Sequence, residues 1–199
     1  MGQGPRYRVM LRRRRQKRTD YRMRKSMILS KIPRLVVRGS LANMYLQIAE
    51  ALLVGDNILA SANSKDLASY GWIAPTGNIP AAYLTGYLLG KKVDSSGYKK
   101  VILDMGLVGT TKGARVFAAL KGASDAGLSV SHNKNILPSN ERVKGEHIVD
   151  YAKKLQEADP AMYEKRFSKY RSHEMRPEEL PKHFAEIKGK IDEAFKERK

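Results

Sequence analysis

The order of hydrophobic patterns after residue 33 most strongly constrains what this chain can fold into. In one short run, apolar Met44, Leu46 and Ile48 alternate with more polar neighbours, which is typical of a strand with one buried face. Runs that resemble β-strands follow one another closely at residues 35–38, 44–48 and 57–62. Strands separated by such short connections predict an antiparallel meander, because parallel neighbours need a long crossover.

After the meander, the pattern changes to helix, strand and helix. Asn78 is predicted to cap the first helix, with Pro80 in its first turn. The apolar residues 101–103 predict a strand buried on both faces. The next helix has the clearest apolar stripe, and a last short strand is predicted at residues 128–131. The stripe consists of Val116, Ala119, Leu120, Ala123 and Ala126. The expected fold is therefore α/β, with a mixed sheet.

The same succession of elements is compatible with a nuclease of the ribonuclease H type. Such chemistry requires clustered carboxylates that hold two divalent ions. Glu50 and Asp56 lie at the ends of predicted strands, and Asp104 stands alone after the fourth. We therefore expect no catalysis, and we expect Asp104 to fix loop backbone or to pair with a basic group. The chain has no cysteine and four widely spaced histidines, so neither a thiol nucleophile nor a metal or other cofactor is predicted.

Positive charge is concentrated at the N-terminus. The chain carries a net charge of +18, and residues 1–40 contain fourteen Lys or Arg against one acidic residue. A helix would point the consecutive residues 12–15 in all directions, which argues against an amphipathic membrane helix. Thr19 or Asp20 is predicted to cap a short helix that ends at Ser30. A nucleic acid is the expected partner, although a targeting signal or a solvated charge run would have a similar composition.

A second candidate contact is the loop GTTKGAR at residues 109–115, which opens the clearest helix. Lys112 and Arg115, both expected to be exposed, could bind phosphate together with the backbone N–H groups of the helix N-terminus. An ordinary polar turn would fit the same residues. Because Lys112 precedes Gly113, the loop does not match a nucleotide-binding P-loop.

From residue 138 onward, the chain is highly charged and has helical patterns. Asp159 and Pro160 are predicted to begin one helix, and residues 176–179 another. We interpret this part as an extension of helices that lies across a surface. Trp72, with Tyr70 in the same loop, is interpreted as a packing anchor, with a base-stacking platform as the alternative. The expected organisation is a basic arm at residues 1–32, an α/β core at 33–137 and a helical extension at 138–199. Neither a signal peptide nor a membrane-spanning segment is predicted.

Several segments together resemble the archaeal and eukaryotic branch of the large-subunit ribosomal protein L18 family. They are residues 12–15, 17–22, 33–38, 70–72, 77–86, 102–107, 112–122 and 145–148. Their order and spacing cover essentially residues 5–155. The resemblance implies a ribonuclease H-like core without catalysis, in a cytoplasmic ribosome. It implies binding to 5S rRNA in the central protuberance, with large-subunit rRNA and neighbouring ribosomal proteins as further partners, and neither a membrane nor a small-molecule substrate.

Sixteen residues are predicted to bind RNA, most of them in the arm, where Tyr7 and Tyr21 could stack on bases. They are Arg6, Tyr7, Arg8, Arg12, Arg13, Arg14, Arg15, Lys17, Arg18, Tyr21, Arg22, Arg24, Lys25, Arg38, Lys112 and Arg115. Two other classes of protein compete with this interpretation. A basic-armed enzyme would need a carboxylate cluster, and a membrane or chromatin protein that uses the arm alone would leave the core motifs unexplained.

Overall fold

The centre of the computed structural model, which describes residues 4–94, 98–173 and 175–196, is a mixed β-sheet. The described residues form strands β1 Arg34–Gly39, β2 Met44–Ala51, β3 Asp56–Asn63, β4 Lys100–Asp104 and β5 Ser129–Val130. The strand order is β3-β2-β1-β4-β5, antiparallel from β3 to β1 and parallel from β1 to β5. The predicted α/β fold with an antiparallel meander is confirmed, although β5 is shorter than expected.

Helices begin where the capping residues predicted them. Asn78 Oδ1 accepts from Ala81 N, Asp20 Oδ1 from Met23 N and Asp159 Oδ1 from Met162 N. The α-helices are α1 Arg12–Arg15, α2 Tyr21–Leu29, α3 Ile79–Asp94, α4 Arg115–Asp125, α5 Asn140–Lys144, α6 Glu146–Ala158, α7 Pro160–Arg166, α8 Ser168–Arg171 and α9 Leu180–Lys196. Short 3-10 helices span Ser64–Tyr70, Lys134–Ile136 and Pro177–Glu179.

The strand predicted to be buried on both faces is covered only in part. In β4, Val101 is buried, whereas Ile102 and Leu103 are half-buried, so that prediction is wrong. β5 pairs with Lys100 and Val101 alone, which leaves the rest of β4 without a neighbour on that side. Because β5 has only two residues, it pairs with only the first two residues of β4.

Helices α3 and α4 pack at unusually close range because glycines lie at their crossing. A Cβ added to Gly122 would overlap the carbonyl oxygen of Tyr83, and one added to Gly86 would overlap that of Ala119. The backbones themselves are therefore in contact, with no room for a methyl group. Since both helices belong to the main hydrophobic core, this contact fixes where α4 lies against the sheet.

Replacing Gly122 by alanine is expected to destabilise the protein by about 1–3 kcal/mol or more, because the added methyl group must push the two helices apart. Urea unfolding followed by circular dichroism would measure the change. Gly189→Ala is the matched control: nothing lies within 4 Å of its added Cβ. Alanine there should stabilise α9 by about 0.5–1 kcal/mol. Similar effects from both substitutions would contradict the proposed close contact.

The C-terminal helices share the main core and do not merely lie across its surface. From α9, Leu180, Ile187 and Ile191 are fully buried in that core. Trp72 is 4% exposed, and its ring stacks on His183 of α9 with centroids 5.0 Å apart. The interpretation of Trp72 as a packing anchor is confirmed, and its partner is the helical extension.

Polar contacts also hold α9 against α3. Tyr87 Oη donates to Asp192 Oδ1 at 2.6 Å, and Lys91 Nζ lies 2.9 Å from the same oxygen. On the other side, Tyr83 Oη donates to Asp125 Oδ2 of α4 at 2.7 Å. Burial, followed by this hydrogen bond and the charge of Asp125, raises the pKa of Tyr83 well above its ordinary value. The hydroxyl therefore stays protonated and keeps donating at all physiological pH values.

Candidate nucleic-acid interface

The arm presents many cations that no acidic side chain neutralises. Within the part of the chain that the structure describes, eleven exposed basic residues of the arm form no ion pair. They are Arg6, Arg8, Arg12, Arg13, Arg14, Arg15, Lys17, Arg18, Arg22, Lys25 and Lys31. Tyr7 lies among them with 52% of its surface exposed, whereas Tyr21 is half-buried. This surface is chemically suited to a polyanion with unstacked bases.

Helix α2 joins the arm to the sheet. Arg24 donates to both carboxylate oxygens of Asp56, at 2.9 and 3.1 Å. Met23 and Met27 line a small cavity of about 70 Å³ together with Arg38 and Asp104. The side chains of α2 therefore contact the start of the edge strand β3 and line a cavity with the ends of β1 and β4, so the basic residues before α2 extend from a defined starting point.

A chain of alternating charges runs beneath α2. Arg34, only 2% exposed, lies between two carboxylates, with Nη2 2.8 Å from Asp56 Oδ2 and Nη1 2.9 Å from Asp104 Oδ2. Arg38 Nη2 donates to Asp104 Oδ1 at 2.8 Å, and its Nη1 donates to the Asp104 carbonyl at 2.6 Å. The Gly106 N–H donates to the same Oδ1 at 3.0 Å. Asp104 thus both fixes loop backbone and pairs with basic groups, as the sequence predicts.

Both carboxylates of this network are ionised at neutral pH. Burial raises the pKa of Asp104, but the hydrogen bond and charge of Arg38, the Gly106 N–H and the charge of Arg34 together bring it below its ordinary value. Asp56 behaves alike, because Arg34 and Arg24 outweigh the effect of burial and lower its pKa. Three guanidinium groups against two carboxylates leave a net positive charge. Arg24 and Arg38 keep 38% and 44% of their side chains exposed, so each can still offer N–H groups to a phosphate.

The two residues of the 109–115 loop are placed differently. Lys112 is exposed, but the prediction that Arg115 is exposed is wrong. Arg115 is half-buried, and its Nη1 donates to the carbonyls of Ser40 and Gly77, each at 3.0 Å. The β1–β2 turn and the loop before α3 converge on the start of α4, and their carbonyl oxygens attract the guanidinium. RNA contact by Arg115 stays a prediction.

Sequence reasoning missed Arg34, the buried residue that pairs with both Asp56 and Asp104. The signal was present, since a charged residue opens an otherwise apolar strand pattern at residues 34–37. A buried arginine requires carboxylate partners, but those lie 22 and 70 residues away in the chain. Only the strand order brings Asp56 and Asp104 to the same place.

Two further features concern other kinds of site. Across the described ranges, no three or more His, Asp or Glu side chains are grouped as a metal ion would require. Among the same residues, no helix is both long enough and apolar enough to cross a bilayer.

Comparisons with known proteins identify the family. The model for "Ribosomal large subunit proteins 60S L5, and 50S L18" matches residues 5–97 and 94–133. The chain is 46% identical over 197 residues to large ribosomal subunit protein uL18 of Aeropyrum pernix, covering 98% of this chain and 92% of that protein.

Two further relatives with the same name match to a similar extent. The protein of Methanothermobacter thermautotrophicus is 48% identical over 193 residues, covering 97% of this chain and 99% of the relative. That of Thermofilum pendens is 47% identical over 195 residues, covering 98% and 100%. These matches include the arm, the sheet and the C-terminal helices. The chain therefore belongs to the family of ribosomal large subunit proteins 60S L5 and 50S L18.

Proposed function

We propose that this chain is a structural constituent of the large ribosomal subunit, where it binds 5S rRNA and helps attach it to the large rRNA in the central protuberance. The eleven exposed arm cations without carboxylate partners carry the proposal, because a surface of this charge requires a polyanion to offset its self-repulsion. The names of the relatives support a place in the large ribosomal subunit.

The proposed division of labour follows from the geometry. The exposed arm neutralises phosphates, while the ion-pair network beneath α2 holds Arg24 and Arg38 at fixed positions on the same surface. Fixed guanidinium groups lose less conformational freedom on binding than mobile ones. The arm therefore supplies most of the affinity, and the folded core supplies placement and specificity.

The proposal assigns no reaction to the chain. Both side-chain oxygens of Asp104 are engaged, Oδ1 by Arg38 and the Gly106 N–H and Oδ2 by Arg34. A carboxylate held by two guanidinium groups is a poor ligand for a divalent cation, since the cation would have to displace them. The ribonuclease H-like arrangement of strands thus carries a structural ion pair where a nuclease would need a metal.

Direct binding tests the proposal. Full-length protein should bind purified 5S rRNA more tightly than an unrelated RNA hairpin of the same length, in a titration at moderate salt. It should also sediment with large subunits under the same conditions. Equal affinity for the two RNAs, or failure to sediment with the subunit, would reject the proposed role.

The loop before α4 allows binding and stability to be separated. Lys112→Ala is expected to weaken 5S rRNA binding without changing thermal stability, because Lys112 is exposed. Arg115→Ala should destabilise the fold by about 1.5–3 kcal/mol, since charge-assisted hydrogen bonds to the carbonyls of Ser40 and Gly77 are lost. Thermal unfolding and RNA titration of each variant provide the two readouts. Unaltered affinity of Lys112→Ala would mean that the loop is an ordinary polar turn.

A further inference from the structure

The turn between β2 and β3 exposes three consecutive apolar side chains. Leu52 is 56% exposed, and Leu53 and Val54 are fully exposed. Turns are usually built from Gly, Asn, Asp, Ser or Pro, and apolar residues on a protein surface are usually scattered singly. We call residues 52–54 the apolar hairpin tip. A contiguous apolar run at the end of a hairpin is typical of a surface that is buried against another molecule.

The apolar hairpin tip projects from a fixed base. Leu52 N donates to the carbonyl of Gly55 across the turn, with 3.0 Å between the nitrogen and the oxygen. The next residue, Asp56, forms ion pairs with Arg24 and with the buried Arg34. These contacts hold both ends of the turn on the sheet, so little conformational freedom is lost when a partner covers the tip.

The charge around the tip is opposite in sign to that of the rest of the chain. The whole chain carries a net charge of +18, yet residues 39–64 contain no Lys or Arg, and Glu50 and Asp56 are their only charged residues. Asp56 is already paired, whereas Glu50 is half-buried and forms no ion pair with any residue that the structure describes. An apolar turn beside a carboxylate repels phosphate. An apolar protein surface with a basic residue at its edge complements both features.

We propose that the apolar hairpin tip inserts into an apolar cleft of a neighbouring protein of the large ribosomal subunit, where a lysine at the edge of the cleft pairs with Glu50. This inference rests on the proposed place of the chain in that subunit and names a contact within it. Three side chains bury far less than the roughly 1,000 Å² that a stable complex of two proteins needs. A second copy of this chain is therefore a poorer occupant than a protein that the subunit already holds nearby.

Polar substitution of the tip tests the apolar part of the contact. Full-length Leu53→Ser should bind purified 5S rRNA within about 2-fold of wild type, since no cation is removed. In competition with wild type for reconstitution into large subunits depleted of this protein, it should be incorporated about 10-fold less. Leu41→Ser is the matched control, because Leu41 is 99% exposed in the β1–β2 turn, where no carboxylate lies beside it in the chain. This control should compete equally with wild type.

Carbodiimide crosslinking of wild-type large subunits tests the charged part of the contact. The reagent joins a carboxylate directly to the amine of a lysine that is paired with it, so Glu50 should become linked to a lysine of another large-subunit protein. Mass spectrometry can assign the link, because Glu50 lies in the tryptic peptide of residues 39–65. Glu50→Gln should abolish the link.

The outcomes separate this contact from the function on which it rests. If Leu53→Ser were incorporated as well as wild type, or if Glu50 were linked to no other protein, the contact would be overturned. Ultraviolet crosslinks from residues 52–54 to rRNA, or a dimer of the free chain that Leu53→Ser dissociates, would also overturn it by showing another occupant. If wild-type chain failed to bind 5S rRNA while Glu50 was still linked to a large-subunit protein, the RNA role would fall and the contact would stand.

Discussion

Deleting residues 1–18 is expected to weaken 5S rRNA binding on the order of a hundredfold at moderate salt and to flatten its salt dependence. Each neutralised phosphate contributes roughly 0.7–0.9 to the slope of log affinity against log salt, so about six arm contacts give a slope near 4–5. The deletion ends before Asp20, which caps α2, so the fold should remain intact. Titrations at several salt concentrations measure both effects.

A matched pair of charge substitutions shows whether position matters as well as charge. Replacing residues 12–15 by glutamine removes four exposed cations from the arm. The control replaces four exposed cations of the C-terminal helices by glutamine: Lys153, Lys154, Lys165 and Arg166. The slope of log affinity against log salt should fall strongly in the arm variant and should change little in the control. Equal losses of slope in the two glutamine variants would mean that net charge alone drives binding. Full affinity after deletion of residues 1–18 would mean that the arm does not contribute to RNA binding.

Asp104→Ala is expected to destabilise the protein by about 3–5 kcal/mol. The substitution leaves Arg34, which is 2% exposed, with one carboxylate in place of two, and it releases Arg38 and the Gly106 N–H. Urea unfolding measures the loss. Glu164→Ala is the control, because its pair with Arg171 is 62% and 57% exposed and such pairs contribute about 0–1 kcal/mol. A similar small effect at both sites would refute the buried network.

The same network predicts a dependence on acid. Because the folded pKa of Asp104 lies below its ordinary value of 3.8, its stabilisation is complete above that value and is lost as pH falls through the lower folded pKa. The free energy of unfolding of wild type should therefore fall from about pH 4 downward. Asp104→Asn should be less stable at neutral pH and should show a shallower decline in acid, and unfolding curves between neutral and acid pH would measure both.

Local chemistry explains why much of this fold was predictable. Asn78, Asp20 and Asp159 each satisfy backbone N–H groups within three residues of themselves, so their helices can be located from short segments. The alternation of burial in β2 follows from the same strict period that the sequence displays. These features depend on neighbours in the chain and therefore appear in the sequence.

What could not be predicted depends on contacts between distant segments. Arg115 has the position of a phosphate ligand, yet the carbonyls of Ser40 and Gly77, 75 and 38 residues away, occupy its Nη1. The alternating pattern of β2 places Tyr45 on one face of the sheet, but it does not show whether that face is covered by helices. Its exposure follows from the helices α3 and α4 packing on the other face. The sequence identifies the basic residues of the interface, but the strand order determines which of them form ion pairs with Asp56 and Asp104.

Burial of α9 in the main core has a consequence for synthesis. Leu180, Ile187 and Ile191 are synthesised after the rest of the core, so the apolar surface that they cover stays exposed to water until α9 has been made. The basic arm, in contrast, is synthesised before the core and is free to meet RNA while the later elements are made. A nascent chain of this protein thus combines an early polycation with an apolar surface that closes only when α9 docks.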